Sequence, residues 1–232
     1  MADTMLTSLT EGCAASGFDL SAVTTVGLYN AGVEAQYRLP GDDGAAVVVI
    51  GNTTVLWPFV TDFVKAQAVQ PADPIDRYTE HSVRAAVAAH VPPSAVIDIR
   101  FAHEPPPRRV AIQRLAAIAG MAWLSPSHLC VHPVFGPWMA LRAAIVLDHE
   151  PATIGTPIEA PCRCEDNCLS LFEEALAAGE PKTADDLRDH WRLWLATRDA
   201  CPAGRRYRYP DEQIEYHYTG RRPAGWPTVQ SN

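Results

Sequence analysis

The chain has no apolar run near the roughly 20 residues that a membrane-spanning helix requires. Its longest apolar stretches, residues 45–50 and 140–147, are strand-length. Residues 1–9 carry neither a basic start nor an apolar core, so no secretory leader is expected and the protein is read as cytoplasmic. Positive charge is also scarce. The 19 Lys and Arg stand against 27 Asp and Glu, a net charge of −8. That balance speaks against a general nucleic-acid binder, which needs clustered cations to meet phosphates. The common catalytic signatures are missing too. There is no GxGxxG, no P-loop and no G-x-S-x-G, and His103-Glu104 runs into prolines instead of completing HExxH.

What is present suits a globular protein. Apolar residues make up 47% and charged residues 20% of 232 positions, enough for a sizeable core without crosslinks. Twenty prolines predict many stiff loops. β-branched and apolar patterning predicts strands over 21–31, 45–51, 94–103, 128–134 and 138–147. Helical spacing predicts helices over 55–69, 74–90, 108–124, 169–178 and 183–197, and the tyrosine-rich 207–218 reads as a closing hairpin. The order of these elements implies an α+β protein. A Pro-rich change of character near residue 150 divides it into a core (1–150) and a C-terminal helical cap (151–232).

Three stretches carry candidate chemistry. In 129–147, Cys130 and His132 alternate on a strand, so both point to one face, and Trp138 and Arg142 share a face of the next. A thiol, an imidazole, an indole and a guanidinium then surround a pocket mouth; the plainer reading is a hairpin with a buried Cys and a satisfied His. In 189–202, Trp191, Trp194 and Arg198 share a helix face that suits a flat, partly apolar, anionic ligand, or simply the core side of an amphipathic helix. Finally, Cys162, Cys164 and Cys168 with Cys201-Pro202 form a four-cysteine candidate for iron–sulfur or zinc, although C-x-C-x₃-C matches no standard spacing and reduced thiols are the alternative.

Taken together, LYNAGVEAQYRLP (28–40), DPIDRYTEH (73–81), RRVAIQRLAAIAG (108–120), CVHPVFGPWMALR (130–142) and HWRLWLATRDA (190–200) resemble the MMACHC/CblC-type cobalamin-processing family, and more distantly the epoxyqueuosine reductases. The resemblance implies a nitroreductase-like (flavin reductase-like) fold, a mixed sheet with flanking helices around a large cavity. It implies base-off cobalamin binding and removal of the upper-axial ligand, by reductive decyanation with flavin such as FMN or by dealkylation with glutathione. By matching positions it assigns cobalamin contacts to Val110, Ala111, Ile112, Gln113, Cys130 and Leu141, with Leu124 and Ser125 following the small-residue helix. His132, Trp138 and Trp194 join them as pocket candidates.

The resemblance also assigns thiol positioning to Arg142 and Arg198, with Arg221 or Arg222 as a third cation. Ala117 replaces a family histidine, Thr197 stands where a tyrosine is usual, and the cysteine cluster is foreign to the animal proteins. Its implied partners are a small thiol or reduced flavin and a downstream B12-dependent enzyme or reductase, with no nucleic acid or membrane, and the chain a monomer or ligand-dependent homodimer. A corrinoid chaperone without turnover, a flavin- or iron–sulfur-dependent reductase of the same fold and a zinc-stabilised module are the competing readings.

Overall fold

The computed structural model describes residues 3–69, 71–161, 165–178 and 189–227. Its centre is a four-stranded antiparallel sheet of order β1-β2-β6-β3. The strands are β1 (Leu20–Thr25), β2 (Ala46–Asn52), β3 (Val96–Phe101) and β6 (Ala140–Leu147). A small second ladder pairs β4 (Trp123–Leu124) with β5 (Cys130–Val131). The α+β class expected from the sequence is the one found. The pairings in the main sheet are all antiparallel, whereas a mixed sheet is expected from the resemblance. The helices between β2 and β3 return the chain beyond β6, which lies between those strands and runs opposite to both.

β2 and β6 are the inner strands, and helices cover both faces. Ala46, Val48, Ile50, Ala143, Ile145 and Leu147 point into one core with α1 (Thr4–Ala15), α3 (Leu56–Lys65) and α4 (Pro74–His90). Val47, Val49, Ala144 and Val146 point into the other, with α2 (Val26–Ala31) and α5 (Ile112–Ile118). A strand buried on both sides needs apolar residues at every position, which is why 45–50 reads as a continuous run. No helix among the described residues is long and apolar enough to cross a membrane.

Several segments depart from the local reading. Residues 21–31 split, because Thr25 Oγ1 caps the amide of Leu28 at 3.4 Å and turns the second half into α2. The helix expected over 108–124 shrinks to the seven residues of α5, stopped by Gly120 in the left-handed region (φ 72°), where the carbonyl of Thr156 occupies the space of a Cβ. The closing hairpin is instead α8 (Asp211–Thr219): Asp211 and Glu212 suit the positive N-terminal end, and Gly220 (φ 70°) ends it. In the C-terminal part, α6 (Glu165–Ala177) packs beside α7 (Trp191–Asp199). α1 has no counterpart in the sequence reading; its N-cap Asp3 accepts from Leu6.

Candidate functional site

β6 changes character along its length. Its register with β2 steps from Ile50 opposite Ala143 to Gly51 opposite Leu141. Arg142 is therefore the extra residue of a β-bulge, a device that re-aims one side chain out of the pleat. Its Nε donates to Asn52 Oδ1 at 2.7 Å, and Asn52 is fully buried at the end of β2. Arg142 lies deep among protein atoms, and burial pulls its guanidinium down from its ordinary value; Tyr209 and Asp76 oppose this and Arg198 reinforces it.

Arg198 reaches the same region from α7. Its Nε and Nη2 donate to the carbonyls of Pro137 (2.9 Å) and Met139 (3.1 Å), while its Cζ lies over the rings of Trp138 (4.7 Å) and Tyr209 (4.8 Å), which meet each other edge to face. Stacking plus two neutral acceptors holds the guanidinium without cancelling its charge. Tyr209 is buried, which pushes its phenol up, while both arginines pull the other way. His217 of α8 sits beside Tyr209, with ring centroids 5.8 Å apart. Burial, then repulsion from Arg142 and Arg198, pushes the His217 imidazole down to about 3. The cluster thus holds two cations and a neutral imidazole. No salt bridge to either arginine forms among the described residues.

Next to it lies a cleft of about 260 Å³. Ile112 and Gln113 of α5, Cys130 of β5, Met139, Leu141 and Arg198 line it. Gln113 is fixed by donating to the carbonyl of His128 at 2.9 Å. Burial pushes the Cys130 thiol up to about 12, so it stays protonated. The lining is an apolar bed with a guanidinium at one end.

The structure gathers Ile112, Gln113, Cys130, Leu141 and Arg198 in this cleft, with Arg142 in the adjoining cluster. Val110 is buried in the α2–α5 core, with Ala111 packed against it. Ser125 is buried with its hydroxyl 2.9 Å from that of Ser127, and Leu124 pairs with Cys130 in the small ladder. The Nδ1 of His132 accepts from the amides of Val134 and Phe135, so it organises its own turn. Trp138 is buried beneath Arg198. Trp194 turns to Phe172 of α6, away from the cleft lining.

Cys162 and Cys164 lie outside the described residues. Cys168 is buried, with Ser127 Oγ 3.8 Å from its sulfur, and Cys201 is buried after α7. Among the described residues no group of three or more His, Cys, Asp or Glu could hold a metal.

Asn52, Tyr209 and His217 escaped the sequence reading. Asn52 carried one usable signal, a polar residue closing an otherwise apolar strand. Tyr209 and His217 lie in a polar segment where nothing local marks them as buried. A turn-on-turn contact brings that segment in: Gly136 (φ 58°) faces the carbonyl of Ala203, and Gly204 (φ 70°) that of Phe135, with no room for a Cβ on either.

Known proteins resemble this chain in sequence and fold. Residues 17–223 match the methylmalonic aciduria and homocystinuria type C (MMACHC) family. The cyanocobalamin reductase / alkylcobalamin dealkylase of Danio rerio is 28% identical over 242 residues, covering 95% of this chain and 91% of that protein. The crystal structure of the C. elegans B12-trafficking protein CblC, a human MMACHC homologue, aligns with a TM-score of 0.62 at 17% identity, over 95% of this chain and 91% of its own. An epoxyqueuosine reductase aligns at 0.53 and 13% identity, over 89% and 67%.

Proposed function

The chain belongs to the MMACHC family, and from that premise we propose that it binds cobalamin as a substrate and removes its upper-axial ligand. The observation that carries this reading is the half-open apolar cleft that ends in a guanidinium, beside a second guanidinium. Ile112, Met139 and Leu141 suit the apolar edge of a corrin, and Gln113 its amide rim. At about 260 Å³ the cleft is below the ~300–1,000 Å³ of pockets that enclose drug-sized ligands, so it accepts one part of so large a molecule. The relative from Danio rerio is named for the same chemistry, and residues 151–232 are read as a cap over the core 1–150.

In the thiol route Arg142 and Arg198 hold the carboxylates of a small thiol such as glutathione by charge-assisted hydrogen bonds. The thiolate sulfur forms a bond to the alkyl carbon, and cobalt keeps the electron pair of the broken bond. In the decyanation route one electron from reduced flavin goes to cobalt(III) and cyanide leaves. Cys130, held protonated by burial, does not compete as the nucleophile. Spectral titration with cyanocobalamin and methylcobalamin tests the reading. A blue shift of the visible band marks base-off binding, and loss of the upper ligand with glutathione or reduced flavin marks turnover. No spectral change with either cobalamin overturns it.

One observation favours a second reading, a corrinoid carrier without turnover. Thr197, at the position of a usual tyrosine, is buried with its hydroxyl on the carbonyl of Leu193, so it offers no group to a ligand. Binding without ligand removal under either reductant is the result that selects this reading.

A further inference from the structure

We propose that His217 is a third contact for the anion held by Arg142 and Arg198, donating its Nδ1–H as a neutral imidazole. This deepens the thiol-anchoring role read above and rests on it. Three observations lead here. The first is the hydrogen-bond order around Gln213, which is buried. The hydroxyl of Thr54 donates to Gln213 Oε1 at 3.0 Å, and Gln213 Nε2 lies 3.3 Å from His217 Nε2. An amide nitrogen only donates, so His217 Nε2 accepts and the ring proton sits on Nδ1.

The second is the environment. His217 lies against the Tyr209 ring, which itself covers Arg198, and both guanidiniums act on it. A protonated ring there would be a third cation in one half-buried cluster; the neutral ring instead adds an N–H without adding charge. The third is that Nδ1 has no hydrogen-bond partner among the described residues. Asn52 and the carbonyls of Pro137 and Met139 hold the arginines by neutral oxygens, so the cluster's charge is left for a ligand. The ligand class is an anionic oxygen on a small molecule, a carboxylate above all.

Glutathione is the probe. In wild-type protein labelled with ¹⁵N-histidine, His217 is expected as the Nδ1–H tautomer, with its Nδ1 resonance moving as glutathione is added. An Nε2–H tautomer, or an unmoved resonance at saturation, overturns the proposal without any variant having to fold. In calorimetric titrations, His217→Phe keeps ring shape and loses the donor, so glutathione should bind about tenfold or more weakly. His217→Asn places an amide N–H near the Nδ1 position and should stay within about threefold of wild type. Cobalamin titrations of both variants should match wild type. Equal glutathione affinity in wild type and His217→Phe sinks this inference alone. No glutathione binding by wild type sinks it together with the arginine anchor, while the cobalamin shift reports on the binding reading separately.

Discussion

The two halves of β6 do opposite work. Ala143–Leu147 is buried on both faces and closes two cores at once. Three residues earlier in the same strand, Ala140, Leu141 and Arg142 keep accessible surface, and Arg142 leaves the pleat at the bulge. The charges beside the two halves differ in the same way. Next to the inner half, Asp98 of β3 is paired with Arg100 at 2.6 Å and Arg108 at 3.0 Å. In the outer half, the hydrogen bond that holds Arg142 among the described residues is to an uncharged amide. One strand therefore passes from a two-sided core to the candidate site across a single irregularity. Ion-paired charge sits beside the two-sided core, and guanidiniums without a salt bridge among the described residues sit beside the cleft.

The sharpest way to break the comparison is to cut each half in turn. Ile145→Ala should cost about 2–5 kcal/mol of unfolding free energy, read by denaturant titration, because the sealed core cannot collapse into the space left. The folded fraction should bind cobalamin as wild type does. Arg142→Met should do the reverse: thiol-dependent ligand removal falls ~10–100-fold, while stability holds or rises by about 1–2 kcal/mol as a half-buried cation without a salt bridge is removed. Equal stability losses in the two variants would dissolve the distinction.

The paired charge gives a pH test of about 1 kcal/mol. Although burial alone would raise it, the hydrogen bonds and charges of Arg100 and Arg108 hold the Asp98 carboxyl below its ordinary value. A carboxylate depressed in the folded state stabilises fully above its unfolded value of about 3.9 and loses that contribution as pH falls through the folded value. Wild type should thus exceed Asp98→Asn in stability at pH 7, and the gap should narrow progressively as pH falls below about 3.9. The smallest effect belongs to the cleft rim. Gln113→Leu removes the hold on the His128 carbonyl and should weaken cobalamin about threefold in the spectral titration.

The regular parts of this molecule were legible from sequence, and the irregular parts were not. The helix 74–90 is legible because its apolar spacing reports one buried face, and the strands over 45–51 and 138–147 because their continuous apolar runs report burial on both faces. Arg142 and Arg198 were found as types in a pattern. The bulge that aims Arg142 was hidden, since a register step depends on a partner strand some 90 residues away. The tyrosines of 207–218 suggest a strand, while the acidic first turn of α8 and the left-handed Gly220 at its end suit a helix. Asn52 and His217 matter through partners distant in sequence, and a local window does not contain those partners.

Consider the distances along the chain that the cluster spans. Asn52 meets Arg142, Thr54 meets Gln213, and Trp57 donates to Glu212. On the ribosome, the four strands of the main sheet are complete once residue 147 has been made, and His217 follows about 70 residues later. At about 5–20 residues per second that is a lag of roughly 4–14 s. During it Asn52 and Arg142 have been made, while Gln213 and His217 have not. The strands of the main sheet are thus made well before the residues that complete the cluster around Arg142.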